Sequence, residues 1–130
     1  DAMTVRSCTP KEIDPAHLLV AEEGGAVVGL VRFGAVRDEG MGEWGEVRAI
    51  YVLPESWGGG HGRALLEGAA QELRRQGYGK FYLWVLKDNA RARAFYERMG
   101  MKNACAERTI HIGGKDIWEV RYERGLQESV

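Results

Sequence analysis

Two rhythms alternate along this chain. Short apolar runs bounded by glycine or proline predict strands, and two longer stretches with apolar residues every three to four positions predict helices. His17–Glu22 (HLLVAE) reads as a strand, Glu23-Gly24-Gly25 as a turn, and Ala26–Phe33 (AVVGLVRF) as its hairpin partner. Arg37–Gly45 holds three glycines and three acids and reads as a loop. Glu46–Leu53 (EVRAIYVL) is the next strand, stopped by Pro54. Ser56–Gly62 then carries four glycines in seven residues. A helix follows, with Leu65, Leu66, Ala69 and Leu73 on one face and Gly77 at its C-terminal cap. Phe81–Leu86 (FYLWVL) is apolar on both faces, as a strand in the middle of a sheet would be. Asp88-Asn89 can cap a second helix whose Ala92, Phe95 and Met99 face the core, and Gly100 ends it. Thr109–Ile112, the turn Gly113-Gly114 and Lys115–Tyr122 form a second hairpin.

The order is hairpin, strand, glycine loop, helix, strand, helix, hairpin. A strand–helix–strand unit between hairpins implies a parallel pair with a crossover inside a mixed sheet. We expect one α/β domain spanning residues 1–130, without repeats or linkers.

Composition removes several classes of function. Eighteen Lys plus Arg against nineteen Asp plus Glu give a net charge of -1, without the basic excess of a nucleic-acid groove. Nucleic acid is therefore set aside as a partner. Cys8 and Cys105 lack any CxxC or Cys/His spacing, so no metal site and no disulfide framework is expected. Two reduced thiols suit a cytoplasmic protein. No apolar run approaches the roughly 20 residues that span a bilayer, and Asp1-Ala2-Met3-Thr4 lacks the basic and apolar regions of a signal peptide. No membrane association is expected.

The glycine loop carries the first chemical signal. Glycines between a strand end and a helix start let the backbone approach a ligand without Cβ interference. Unpaired N–H groups and the positive end of the helix dipole then favour an anion, and Arg63 in the first turn can add a charge. Gly62-Arg63-Ala64 stands where a Walker loop needs Gly-Lys-Ser/Thr. A dinucleotide GxGxxG starting at Gly58 or Gly60 fails at its third glycine, where Arg63 or Leu65 stands.

Two segments together resemble a known family. Trp57-Gly58-Gly59-Gly60-His61-Gly62-Arg63-Ala64 is similar to the signature loop of the GNAT superfamily of N-acetyltransferases, with Trp57 where Gln or Arg is usual. Asn89-x-x-Ala92-x-x-Phe95-Tyr96-Glu97-x-x-Gly100-Met101 resembles the family's closing helix, in which Asn and Tyr face the cofactor. The match covers roughly Glu46 to Met101. It implies a twisted mixed sheet flanked by helices, splayed between the strands at 46–53 and 81–86, with the pantetheine arm of acetyl-CoA in the gap. The backbone of Ile50, Tyr51 and Val52 would pair with that arm. Trp57, Gly58, Gly59, Gly60, His61, Gly62 and Arg63 would contact the cofactor, N–H groups from Gly58 to Arg63 holding its pyrophosphate. Family members usually place two helices between the first strand and the first hairpin. Here about sixteen residues precede His17, so the N-terminal part is short relative to the family and the acceptor stays open.

Acetyl transfer from a thioester to an amine needs a neutral amine, a positioned carbonyl, oxyanion donors and a proton for the thiolate. Tyr96 is the expected acid: a phenol's reference pKa near 10 lies close to a thiol's roughly 8.5. It sits one position past the core-facing Phe95, so it need not be core itself. Glu46 is the expected base, acting through water, with Glu43 as a substitute; the bland alternative is an exposed strand Glu paired with Arg48. Val52 is the expected oxyanion donor. Asn89 can bond the pantetheine arm, cap its helix, or both. His61 reads as a surface or cofactor-contact residue, and Trp84 and Phe95 as core. The reading that follows is an acetyl-CoA-dependent enzyme acting on a small-molecule or peptide amine, without metal. The alternative is an acetyl-CoA-binding sensor. A homodimer could accompany either, through a partner's sheet edge added to Lys115–Tyr122.

Overall fold

A computed structural model of the chain describes residues 4–7, 17–36, 38 and 40–126. Asp1–Met3, Cys8 and Arg37 lie outside the described residues. The β-branched and aromatic runs form one seven-stranded mixed sheet: β1 Thr4–Ser7, β2 His17–Glu23, β3 Ala26–Ala35, β4 Gly45–Val52, β5 Lys80–Leu86, β6 Lys102–Ile112 and β7 Lys115–Gly125. The two periodic stretches form α1, His61–Arg75, and α2, Ala90–Arg98. A single 3-10 turn, Pro54–Ser56, leads into the glycine loop.

Strand order is β1-β2-β3-β4-β5-β7-β6. Both expected hairpins form, and β4–α1–β5 is the expected parallel crossover. Its pairing is brief. Only Gly45 opposite Phe81 and Glu46 opposite Tyr82 are in register, after which the strands part and leave the expected gap. On its other side β4 pairs with β3 through Gly29–Val52, with one register shift where Arg48 is the extra residue.

The core fills the face of the sheet under α1. Val31, Phe33, Val47, Phe81 and Leu83 meet Leu65, Leu66, Ala69 and Leu73 there, all at most 3% exposed. Each fully buried Leu contributes about 1.5–3 kcal/mol. Gly45 fixes how closely the helix sits on β4, because a Cβ there would come within 2.8 Å of Leu73.

Several expectations are corrected. β1 extends the sheet by a short strand antiparallel to β2, too short to stand out as a pattern. β6 begins at Lys102 rather than Thr109, because a bulge with Cys105 at φ 58 interrupts its alternation. β7 lies between β5 and β6, so its Glu119–Tyr122 part is paired on both sides and β7 is not an edge strand; among the described residues the edges are β1 and β6. Trp84 is not core. It is half-buried on the sheet face opposite Val85, with its indole N–H bonded to Asp38. Among the described residues no helix is long and apolar enough to cross a membrane.

Candidate functional site

Where β4 and β5 part, a cavity of about 610 Å³ opens between β4, the glycine loop and α2. Its apolar wall is Ile50, Val52, Ala92, Phe95, Tyr96 and Met99. Its mouth carries Arg63, Arg91 and Arg98, and no carboxylate lines it among the described residues. The N-terminus of α1 faces the same space through Gly60, His61 and Gly62. Gly60 is the N-cap in the left-handed region at φ 85, and no side chain caps the helix. Its first N–H groups are thus left for a ligand. A fold of this kind combines an apolar channel with a cationic, N–H-rich rim.

The backbone of β4 sorts the expected contacts. Leu53 donates to Val28 O at 2.8 Å, so by the two-residue alternation of an antiparallel ladder Tyr51 also bonds toward β3. Ile50 and Val52 then turn their N–H and C=O groups into the gap. Val52 O already accepts from Trp57 Nε1 at 2.8 Å, while the Val52 N–H points the same way. Trp57 therefore ties the loop to β4 through a single indole N–H. Its exposed ring carries the Arg91 guanidinium 3.3 Å from its centroid, a cation–π contact at the cavity rim.

Gly58, Gly60 and Gly62 line the cavity, whereas Gly59 does not. Gly62 is held to glycine-sized space because a Cβ would lie 3.3 Å from Phe95 Cζ, the contact that joins α1 to α2. His61 is corrected: it is 2% exposed, not a surface residue. Its Nδ1 lies 3.2 Å from Ser56 O, which holds the ring within the loop, and its Nε2, without a hydrogen bond, stands 3.3 Å from Glu23 of the β2–β3 hairpin, while one side lines the cavity.

On α2, Asn89 caps the helix by accepting from Ala92 N at 3.1 Å, and it also lines the cavity. Tyr96 is more deeply buried than Phe95, reversing the expected order; it joins the core and packs against Phe95 and Tyr122 rings. Burial pushes its hydroxyl up to about 12. Tyr96 nonetheless reaches the cavity wall.

Glu46 is not the exposed strand residue of the bland alternative, being 1% exposed, and it lies outside the cavity wall. It stands at the last β4–β5 pair, opposite Tyr82, at the base of the gap. Glu43 is exposed in the turn before β4. Sequence reasoning missed Arg91, Arg98 and Asp38, since surface arginines on a helix and an acid in a loop carry no periodic signal. Among the described residues no group of three His, Cys, Asp or Glu could hold a metal ion.

Comparison with known proteins agrees with this geometry. The family model described as "Acetyltransferase (GNAT) family" matches residues 4–101. YuaI of Bacillus subtilis, called an uncharacterized N-acetyltransferase, is 36% identical over 99 residues, covering 76% of this chain and 56% of that protein. The mycothiol acetyltransferase of Streptomyces griseus is 37% identical over 87 residues, 67% of this chain and 27% of that protein. The chain thus spans only part of the length of these relatives. Among solved structures, nourseothricin acetyltransferase superposes with TM-score 0.82 at 22% identity, over 98% of this chain and all of the other. The ribosomal-protein-S18-alanine N-acetyltransferase of Escherichia coli gives 0.79 at 18% identity, over 99% and 97%. These two likenesses concern the fold. With the splayed sheet, the glycine loop and a family model matched along most of its length, the chain belongs to the acetyltransferase (GNAT) family.

Proposed function

We propose that this protein transfers an acetyl group from acetyl-CoA directly to a primary amine of a small molecule or peptide, without a metal. The observation that carries the reading is the cavity beside the β4–β5 gap, apolar inside and rimmed by a helix N-terminus and three guanidiniums, with no carboxylate among the described residues. Acetyl-CoA matches it part for part: a long thin arm for the gap and phosphates for the rim. Gly58, Gly60, Gly62 and Arg63 hold the pyrophosphate, with Gly59 shaping the turn and His61 bracing it. Ile50 and Val52 pair with the arm, while Tyr51 contributes its ring at the rim, and Asn89 and Trp57 close the cavity walls.

In the reaction the substrate ammonium loses one proton, the neutral amine nitrogen attacks the thioester carbon, the C–S bond breaks, and the new amide nitrogen loses a second proton while sulfur gains one. The Val52 N–H bonds the oxyanion in this reading. Glu46 takes the ammonium proton through water at the base of the gap, Tyr96 gives its hydroxyl proton to the thiolate, and the proton shed by the new amide nitrogen restores the Tyr96 phenol. A release assay for free thiol, run with acetyl-CoA across polyamines, aminoglycosides, amino acids and peptide N-termini, tests the reading. Thiol release that needs one of these amines is expected. No release with any amine, despite bound acetyl-CoA, would favour the second reading, a sensor. One observation speaks for that alternative: Glu46 lies outside the cavity wall. The reading includes a cytoplasmic location, in keeping with an exposed free thiol at Cys105, and a homodimer, if formed, would use the β6 edge.

A further inference from the structure

The sheet face turned away from α1 is built from charged and aromatic side chains. Asp38, from the β3–β4 loop, accepts from Tyr82 Oη at 2.7 Å, Trp84 Nε1 at 3.1 Å and Arg108 Nη1 at 3.3 Å. Arg108 also bonds Glu119 at 2.8 Å, so one guanidinium engages two carboxylates of this face. Arg121 is different. It stands opposite Trp84 in register, its guanidinium 5.5 Å from the Tyr82 ring and 5.8 Å from the Trp84 ring. Its Nε is buried without a hydrogen-bond partner, and no carboxylate pairs with it among the described residues. Trp84 lies two residues past Tyr82, the last β5 residue paired with β4, so Arg121 stands across β5 from the gap, at the level where it opens. A second arginine, on β4, repeats the feature. Arg48, two residues past Glu46, donates through Nη2 to Ala35 O at 2.5 Å, yet its Nε is also buried and unpaired.

A buried guanidinium N–H without a partner is rare in folded proteins, because it has lost water and gained nothing. Two of them, on β4 and on β7 at the level where the gap opens, point to a ligand group that supplies the acceptor atoms. The Nε–H edge of a guanidinium matches a planar carboxylate in a bidentate fork. We propose that the acceptor is an amine bearing a carboxylate, such as an amino acid or a peptide with a free carboxylate near its amine, and that Arg121 selects it with Arg48 as second donor. This rests on the acetyltransferase reading above and deepens it. The amine then enters from the face that carries Trp84, opposite the α1 side of the sheet, with its carboxylate anchored beside the gap.

The test compares acceptors that differ only in this group. Thiol release is measured with an amino acid and its carboxamide, and with phosphoethanolamine and ethanolamine. The wild-type kcat/KM is expected to be roughly 10-fold or more higher for the amino acid than for the carboxamide, the size of one charge-assisted bidentate contact. In Arg121→Gln that ratio should fall to near one, mainly through KM, and Arg121→Lys should restore only part of it. The acetyl-CoA-induced rise in melting temperature checks that each variant is folded and loaded. Equal use of acid and carboxamide by the wild type, an undiminished ratio in Arg121→Gln, or a preference for phosphoethanolamine over the amino acid would overturn the inference while leaving the acetyltransferase reading in place. Absence of release with every amine would remove both.

Discussion

A phenol held at about 12 by burial stays protonated throughout the range in which this chain would work. In the proposed reaction Tyr96 is then always a donor, and its proton moves only as the C–S bond breaks and negative charge builds on sulfur. Tyr96→Phe should leave acetyl-CoA affinity nearly unchanged and lower kcat by roughly 10²- to 10⁴-fold. Full activity in this variant would leave approximation and oxyanion binding as the chemistry. The same shift has a stability consequence. The folded value lies above the unfolded one near 10, so this contribution is intact below pH 10 and is lost as pH rises toward 12. Denaturant melts at those two limits should show Tyr96→Phe losing less stability than the wild type, by about 2 kcal/mol. Glu46→Gln should behave otherwise. Its rate should fall most at low pH, where free amine is scarce, and recover as pH climbs toward the amine's own pKa. Wild-type rates at every pH would remove Glu46 from the mechanism. Which of Phe95 and Tyr96 is buried could not be read from spacing. Neighbours on a helix differ by about 100°, and the choice depends on where β7 sits, since Tyr122 supplies part of the Tyr96 surroundings.

The glycine loop shows how far an element's chemistry is written in its residues. Gly58 and Gly60 both have φ 85, a conformation that other residues reach at a cost of roughly 1–2 kcal/mol. A Cβ at Gly60 would meet open space, so Gly60→Glu should fold with that modest strain and fill the proposed phosphate seat with a like charge. Gly62→Asp should push on Phe95 as well. Both variants should keep a wild-type circular dichroism spectrum and lose acetyl-CoA binding by calorimetry; normal binding in both would put the site elsewhere. The boundaries of α1, α2, β3 and β4 were legible because glycine, proline and Asn89 mark them. Phe81–Leu86 was legible as a central strand, yet its second face was misjudged. Tyr82 and Trp84 are covered by polar partners, Asp38 above all, and an apolar run does not say what covers it.

For the molecule as a whole, the order of elements and the gap between β4 and β5 were legible, while the edge strand was not. Two hairpin strands are equally plausible neighbours of β5 until the sheet is closed, and here β7 takes that place. A gap that runs into the sheet also makes a thermodynamic prediction, because a ligand lodged there binds only the folded chain. Acetyl-CoA at 100 times its Kd should add about 2.7 kcal/mol to folding stability, a rise in melting temperature of roughly 10 °C for a chain of this size. CoA itself should do nearly as well, since in the proposed mode the cationic rim takes the phosphates and the apolar walls of Ile50, Val52, Ala92 and Phe95 take the arm. ATP presents phosphates to the same rim but nothing to the gap, and NAD presents a pyrophosphate with the wrong tail. Both should raise the melting temperature by only a fraction of that amount in differential scanning fluorimetry. An equal shift with ATP would mean that charge alone accounts for binding, and the pantetheine assignment of the gap would fall.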